Sequence, residues 1–542
     1  MTHSLVVQLV AIAAVLLLWK IWRSHHVLDN IPGPPRQSWF HGNVRQFASR
    51  HASDFQRHVA FAYGSVVRLH GVMGAPMLYV SDPKALHAVI MKDEQIYQES
   101  DTFIVMNNLI FGPGLLSTLG EHHRKQRKML NPVFSVAHMR RMLPLFYQVV
   151  YKLRDAIQVR VDAGAEEVDV LNWMSRAGLE MIGQGGLGYS FDPLTADTND
   201  DYGDALKSFN THVQAVQVWQ RIAPYLIHLG PAWLRAWLLD RLPDPDVRGL
   251  KKLVDTMDRR SREIYQEKQT AFHQGDEVLV QRVGEGKDIM SILMRANMTA
   301  DESDKLPESE LIAQMSTFIL AGMDTTSNTV SRMLHLLAEN PQVQDKVREE
   351  VLAADAAKGI SYDDLNRLPL LDAVCRETLR LYPPATILSR VPNQDVILPL
   401  SEPMVGKDGK TMSEIPIPKG TEIIIGVLGS NANKVMWGED SLEWKPQRWL
   451  SGPPKGVADA GIPGAYSHLM TFMGGKRACI GFKFSEMEMK VLLSVLLSTF
   501  VFESTGKPIE WNVSGVYYPT VGKESNTPSL PLKIRFYKGV TA

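Results

Sequence analysis

The ten residues from Phe472 to Gly481, FMGGKRACIG, place one cysteine in a glycine-rich loop directly before a predicted helix. A thiolate in this position is stabilised by backbone N–H groups and by the positive end of the helix, which lowers its pKa and favours metal ligation. Gly475 and Gly481 allow the backbone to approach a flat cofactor closely, and the Arg477 guanidinium can meet an anionic group on that cofactor. The fold must therefore hold a ligand against this loop.

A lone cysteine in a turn is more often a buried, inert thiol, but the neighbours of this one argue against that interpretation. The segment resembles the F-x-x-G-x-R-x-C-x-G signature of the cytochromes P-450, with matches at Phe472, Gly475, Arg477, Cys479 and Gly481. The resemblance implies the cytochrome P-450 fold, mainly α with small β-sheets (α+β), and haem b as cofactor. It also implies that Cys479 is the axial ligand of the haem iron and that the other four residues hold the haem.

Composition restricts the remaining possibilities. The chain has 542 residues, 45% of them apolar, and a formal net charge of -1. Because basic residues are not in global excess, we expect no nucleic-acid partner. The only cysteines are Cys375 and Cys479, which excludes a disulfide framework and a four-thiolate zinc site.

An apolar run from Leu5 to Trp22, interrupted by Gln8 and Lys20, is about as long as a helix that spans the hydrocarbon layer. A cleaved signal peptide is the alternative, but no basic region precedes the run and no small-residue cleavage site follows it. Lys20 and Arg23 lie behind the run and favour a cytosolic position for the rest of the chain. We therefore expect a single-pass anchor over residues 1–23, and the resemblance to microsomal members implies the endoplasmic reticulum membrane.

Residues 24–40 contain IPGPP at 31–35, and clustered prolines fix an extended backbone. This segment is predicted to be a hinge, and residues 41–542 are predicted to form one large haem domain. Period-two and helical patterns of apolar residues predict its elements. They are a hairpin over Ser65–Val80, a helix opened by Asp82-Pro83, mostly helix from Phe134 to Leu352, strands over Ile415–Val427 and Leu532–Phe536, and a helix through Lys490–Phe500.

A predicted helix from about Glu310 to Asn340 contains the polar sequence AGMDTT at Ala321–Thr326. Gly322 costs about 1 kcal/mol of helix propensity, and a buried unpaired Asp costs more. The segment therefore disfavours the helix that the surrounding apolar pattern predicts. Such conflicts often mark function, although a polar turn at a helix end is the alternative. The apolar pattern resumes at Val330, which favours function.

Thr325 is expected to hydrogen-bond back to a carbonyl of the preceding turn and to open the helix, while the space over Gly322 admits a diatomic ligand. The A-G-x-D-T-T form resembles the oxygen-activating helix of the cytochromes P-450. That resemblance implies that Ala321 and Gly322 border the haem, and that Asp324 and Thr325 deliver protons during oxygen activation.

Glu377 and Arg380 stand three residues apart on a predicted helix, a spacing that alone usually indicates a solvated ion pair. The pair and the later WKPQRW at 444–449 resemble the family's E-x-x-R and P-x-R-[FW] motifs. By this resemblance Glu377, Arg380 and Arg448 form a structural triad behind the haem.

Arg127 and Arg390 are two further cations that fit the haem propionates. The family pattern before the first is W-x-x-x-R, and here His123 stands where Trp is common. The basic residues from Arg124 to Lys128 are either an ordinary solvated helix face or, with Lys476 and Lys483, a docking surface for an acidic reductase.

The resemblance implies a monooxygenase that inserts one oxygen atom of O2 into an organic substrate, with electrons from NADPH through a membrane-bound partner reductase. No flavin or nicotinamide domain is evident in the chain. A lipophilic substrate, a terpenoid or other secondary metabolite of a fungus, is expected from the apolar character of the segments that contact substrate in this family. These correspond to Phe103–Leu119, Asn210–Leu229, Gln314–Ala321, Ala385–Leu388 and Val516–Tyr518.

Two alternatives remain open at this stage. One is a member of the same family that isomerises or dehydrates its substrate without a reductase, although Asp324 and Thr325 would then have no protons to deliver to oxygen. The other is a non-catalytic haem-binding protein tethered to the membrane.

Overall fold

The computed structural model describes residues 27–194, 209–274 and 287–539. The anchor predicted over residues 1–23 and the first residues of the predicted hinge lie outside the described residues. Within those three ranges, no helix combines the length and the apolar character needed to cross a membrane.

Short strands form small sheets in the described ranges. They are β1 (Val66–His70), β2 (Pro76–Val80), β3 (Tyr97–Gln98), β4 (Glu167–Asp169), β5 (Ser389–Pro392), β6 (Val396–Val405), β7 (Thr411–Ile417), β8 (Glu422–Ile425), β9 (Phe500–Ser504), β10 (Ile509–Asn512), β11 (Tyr518–Val521) and β12 (Pro531–Phe536). The largest sheet has the order β1-β2-β8-β5-β3, with β2 and β8 parallel and the other pairs antiparallel. A second sheet joins β4, β12 and β9, while β6 pairs with β7 and β10 with β11.

Helices make up most of the described chain. They are α1 (Val44–Ala48), α2 (Ser53–Ala62), α3 (Pro83–His87), α4 (Asp101–Phe111), α5 (Gly120–Leu130), α6 (Val136–Asp162), α7 (Val170–Ile182), α8 (Phe209–Ala215), α9 (Gln217–Leu226), α10 (Ala232–Arg241), α11 (Pro245–Gln274), α12 (Ile289–Thr299), α13 (Glu308–Glu339), α14 (Pro341–Ala353), α15 (Tyr362–Asn366), α16 (Pro369–Leu381), α17 (Val427–Asn431), α18 (Lys434–Trp437), α19 (Lys455–Asp459) and α20 (Phe482–Thr499). This mainly helical architecture with small sheets is the predicted one.

The hairpin and the helix predicted after it are both present. Val66 pairs with Val80 across β1 and β2, and Gly74 turns the chain between them with a φ of 76°. Asp82 then caps α3, because its carboxylate accepts a hydrogen bond from the backbone N–H of Ala85 at 2.9 Å.

The central element of the core is α13, which packs against α7, α16 and α20, while α20 also packs against α6. Every residue of α13 from Glu310 to Leu320 is buried. A helix segment that is buried on all sides must lie inside the protein, so the polar residues from Glu310 to Leu320 face an interior rather than solvent.

One predicted strand is divided. The run over Ile415–Val427 forms two strands in different sheets, because Gly420, at a φ of 80°, turns the chain between β7 and β8. The same run ends in a helix, since Val427 begins α17. The predicted helix through Phe500 ends one residue earlier, and Phe500 starts β9.

Candidate active site

The cysteine loop begins at the end of one short turn, Met470–Phe472, and contains a second, Gly475–Arg477. It leads directly into α20. Its backbone closes on itself where the N–H of Cys479 donates to the Phe472 carbonyl at 2.8 Å. Gly475 has a φ of 66°, and a side chain there would collide with the carbonyl oxygen of Ile90. The structure thus explains this glycine by the close approach of protein backbone, not by the approach of a cofactor that the sequence suggested.

The two cysteines have different surroundings. Cys375 is completely buried inside α16, and burial raises the pKa of its thiol to about 12. The Cys479 side chain is accessible, although enough protein surrounds it that burial raises the pKa of its thiol. A hydrogen bond with the Gly481 backbone and the charge of Arg127 act in the opposite direction. An accessible thiol enclosed by protein is one that faces an internal space.

Arg127 and His123 approach this loop from α5. The Arg127 guanidinium donates a hydrogen bond to the Ala478 carbonyl, next to Cys479. His123 is buried, and desolvation, followed by the charges of Arg477, Arg127 and Lys476, lowers its pKa to about 3. His123 is therefore a neutral imidazole at the position where the family pattern has Trp.

Arg390 and Arg477 meet at a carboxylate that the sequence did not single out. The Glu99 side chain, in a residue that is 9% exposed, forms an ion pair of 3.3 Å with each guanidinium, one through each carboxylate oxygen. A lone Glu between a strand and a helix carries no pattern that would have identified it. Arg127 adds a third guanidinium near Arg477, and the excess of three positive groups over one carboxylate suits the two propionates of haem.

The basic residues predicted as a docking surface are largely paired. Lys476 pairs with Glu94, and Lys128 pairs with Asp304 at 2.9 Å. Arg124 lies 3.5 Å from Glu121. These contacts leave little uncompensated charge and favour the interpretation as a solvated face.

On α13 the predicted hydrogen bond from Thr325 is present, with Oγ1 donating to the Ala321 carbonyl at 2.8 Å. The helix nevertheless continues through this point without opening, because a carbonyl can accept a second hydrogen bond within helical geometry. Ala321 is exposed in the middle of a buried helix. The surface at Ala321 and Thr325 therefore also faces an internal space.

Asp324 has a neighbour that the motif does not reveal. The Asn328 amide nitrogen donates to the Asp324 carboxylate at 3.0 Å and to its carbonyl at 2.9 Å. The spacing of four residues places the two side chains on one helix face.

Gly322 is explained by packing and not by ligand space. A Cβ on Gly322 would lie 2.9 Å from Cγ1 of Ile182 and 3.3 Å from its Cβ. The absent side chain allows α13 and α7 to approach closely.

Glu377, Arg380 and Arg448 come together as predicted. Arg380 binds both carboxylate oxygens of Glu377 at 2.8 Å, and both side chains are fully buried. Arg448 reaches Glu377 at 3.3 Å, and Trp449 donates its indole N–H to the same carboxylate at 3.0 Å. The Glu377 carboxylate thus links α16 to the segment that contains Arg448 and Trp449 and precedes α19.

An apolar cavity of about 440 Å³ lies between α4 and the helices α9 to α11. Met106 and Ile110 line it from α4, and Trp219, Leu239 and Leu250 line it from the other side. It borders two of the predicted substrate segments, but no residue of α13 or of the cysteine loop lines it.

Comparison with known proteins agrees with this geometry. The family model of the cytochromes P-450 matches residues 32–516, so the chain belongs to the cytochrome P-450 family. The chain is 58% identical to cytochrome P-450 monooxygenase 81 of Postia placenta, over 98% of this chain and 97% of the relative. It is 49% identical to a ganoderic acid synthetase of Ganoderma lucidum, over 97% and 98% of the two chains.

Membership defines the chemistry at the level of the class. The chain is an oxidoreductase of the monooxygenase type, and its cofactor is haem held by a cysteine thiolate. The prediction of fold family, enzyme class and cofactor from sequence is thereby confirmed.

Proposed function

We propose that Cys479 is the axial haem ligand and that the enzyme inserts one oxygen atom of O2 into a lipophilic substrate. The observation that carries the proposal is the accessible Cys479 thiol beside Arg127, in contrast to the enclosed Cys375 thiol. A ligand must be deprotonated, and neighbouring positive charge favours the thiolate. Electrons come from NADPH through a partner reductase.

The residues around Cys479 hold the cofactor. Arg127, Arg390 and Arg477 bind its propionates, and Glu99 keeps the last two guanidinium groups in position. Phe472 and Gly481 would form the cradle on the thiolate side, and Ala321 would border the opposite side, while Gly475 and Gly322 let the protein pack closely around this space. The triad of Glu377, Arg380 and Arg448 supports this arrangement from behind without taking part in the reaction.

When bound, haem supplies the oxygen-activating chemistry, which electron density from the thiolate sulfur assists. The protein supplies protons. The Asp324 carboxylate takes up a proton and is oriented by Asn328, and the Thr325 hydroxyl passes a proton into the space that Ala321 borders. This pairing of Asp324 favours oxygen activation over the isomerase and dehydratase alternatives, which need no such proton.

The substrate proposed is a terpenoid or another lipophilic secondary metabolite. The apolar cavity of about 440 Å³ supports a lipophilic molecule, and the name of the Ganoderma lucidum relative supports an oxidised natural product. Residues 1–23 anchor the protein in the endoplasmic reticulum membrane, 24–40 are the hinge, and 41–542 form the cytosolic haem domain. The apolar run from Leu5 to Trp22 supports the anchor.

The test is the difference spectrum of the dithionite-reduced protein with carbon monoxide. The native protein should give the strongly red-shifted Soret band of thiolate-ligated haem. Cys479→Ala should lose this band, whereas the matched control Cys375→Ala should keep it. An unchanged band in Cys479→Ala would refute the ligand assignment.

A further inference from the structure

A small cavity further along α13, lined by Thr329 and Arg332 at four and seven residues after Thr325, contains cationic groups that the oxygen-activating residues do not use. Its volume is about 70 Å³. Arg332 of α13 and Arg57 of α2 both line it, and no Asp or Glu does. Neither arginine forms an ion pair with an acid in the part of the chain that the structure describes. The cavity therefore has the electrostatics of an anion site.

Arg332 is held in position without being neutralised. Its guanidinium stacks over the ring of Tyr382 at 3.9 Å from the centroid and over Trp511 at 4.5 Å. Burial lowers the pKa of Arg332, and the nearby Tyr382 hydroxyl and Glu339 act in the opposite direction and raise it. Its buried Nε has no hydrogen-bond partner among the described residues. Because a guanidinium stays charged in proteins, this donor is available to an acceptor that is not among the described residues.

A second donor points to the same conclusion. Thr386 is 8% exposed and lines the cavity, and its Oγ1 lies near the Tyr517 hydroxyl without a hydrogen bond of regular geometry to any described residue. Tyr517 also lines the cavity. Burial raises its pKa, and a hydrogen bond with Ser53, the charges of Arg332 and Arg57, and a hydrogen bond with Thr386 act in the opposite direction. The polar wall thus combines two cations with hydroxyl donors, which is the set that a carboxylate accepts from.

The size and place of the cavity indicate how much of a ligand it holds. A volume of about 70 Å³ has room for the two oxygens of a carboxylate. An apolar part of the wall is formed by Leu381, Pro383, Pro384 and Leu428, and Ser53 and Asn328 add polar groups.

The cavity also adjoins the oxygen-activating part of α13. Thr329 lines it and hydrogen-bonds through Oγ1 to the Thr325 carbonyl at 2.7 Å, one turn away. Thr386 and Tyr517 belong to two of the segments predicted to contact substrate. A carboxylate held here would belong to a molecule whose body extends towards the reacting position.

We infer that Arg332, with Arg57 and Thr386, binds the carboxylate of a lipophilic acid, and that such acids are the substrate class of this enzyme. The inference rests on the proposed monooxygenase function, but it concerns binding and is tested without turnover.

The experiment compares dodecanoate with dodecan-1-ol, which have equal chain lengths and differ in the charged group. Their dissociation constants are measured by equilibrium dialysis with the full-length protein in lipid nanodiscs, corrected with empty nanodiscs. The native protein should bind the acid about ten- to a hundredfold more tightly than the alcohol, the range that charge-assisted hydrogen bonds provide. Equal binding, together with no effect of acetate on the native protein, would overturn the inference.

Arg332→Gln should reduce the preference for the acid to about one, and Arg140→Gln, an exposed arginine of α6, should leave it unchanged. Arg57→Gln should weaken the preference and serves as the test if Arg332→Gln does not fold. Sodium acetate is the third probe. If it raises the melting temperature in an Arg332-dependent way while acid and alcohol bind equally, the carboxylate site stands but its ligand is a small free anion.

The carbon monoxide spectrum of the same preparations keeps the two proposals apart. A preference for the acid without the red-shifted band would contradict the haem-ligand assignment alone. The band without any carboxylate binding would contradict this inference alone.

Discussion

Individual side chains in this protein take their roles from their immediate surroundings. The two cysteines are the clearest case, since the same thiol is enclosed at Cys375 and accessible at Cys479. Asp324 and Thr325 follow the same rule. Their hydrogen bonds to Asn328 and Ala321 hold both side chains on one helix that borders an internal space.

At this scale, Thr325→Ala should retain haem and the carbon monoxide band but lose coupling. Because no hydroxyl then passes a proton to the reacting position, product formed per NADPH should fall by at least about tenfold, and hydrogen peroxide should rise in proportion. NADPH, product and peroxide are measured together. Thr325→Ser should recover coupling.

Thr499→Ala is the matched control for Thr325→Ala, because Thr499 makes the same type of back-bond, at 3.1 Å to the Val495 carbonyl of α20. Full coupling in Thr325→Ala would exclude this residue from proton delivery.

Among the secondary-structure elements, α13 brings together most of what the site requires. It packs tightly on α7 at Gly322, exposes Ala321 and Thr325 to one internal space, and lines a second cavity with Thr329 and Arg332. One helix therefore contributes to catalysis, to packing and to the proposed carboxylate site. Its register against α7 is what keeps these surfaces in place.

Gly322→Ala tests this packing. The added Cβ meets Ile182, including the inflexible Cβ at 3.3 Å, and overpacking costs about 1–3 kcal/mol, against about 1 kcal/mol gained in helix propensity. The melting temperature should therefore fall.

Adding Ile182→Val removes the terminal methyl that lies 3.0 Å from the new Cβ. The free energy of unfolding of the double variant should be higher than the sum of the two single-variant changes predicts, by a coupling free energy of about 0.5–3 kcal/mol. Additive effects would show that the contact with Ile182 does not limit this position.

On the scale of the whole molecule, burial decides which charges the fold can tolerate. Glu377 is fully buried but satisfied by two guanidinium groups and an indole. Glu488 of α20 is equally buried, but no guanidinium or ammonium group pairs with it among the described residues, and neither oxygen makes a hydrogen bond of regular geometry there. Desolvation raises the pKa of Glu488 well above its ordinary value, and the Thr326 hydroxyl opposes this only in part.

The Glu488 pKa predicts a pH dependence of stability. Because the folded pKa lies above the unfolded value of 4.5, the folded state keeps a proton that the unfolded chain releases. The contribution of Glu488 to stability is complete below the unfolded pKa and is lost as the pH rises towards the folded pKa.

Glu488→Gln should remove this loss. The melting temperature of the variant relative to that of the native protein should therefore rise between pH 5 and pH 8. The control is Glu439→Gln, whose side chain is 89% exposed. A difference between Glu488→Gln and the native protein that is independent of pH would show that Glu488 is ionised in the fold.

Several features could be predicted from sequence because they depend on local spacing. The cysteine loop, the Glu377–Arg380 pair, the Thr325 back-bond and the β1–β2 hairpin each depend on residues that are close in sequence. The family signature adds fold and cofactor to these local patterns, since each of its motifs is a short, contiguous segment.

Tertiary structure decided the rest. Glu99 between Arg390 and Arg477, Ile182 against Gly322, and Arg57 beside Arg332 join residues from distant segments. No pattern along the chain records such neighbours, because they depend on how whole helices pack and on which polar groups that packing removes from water.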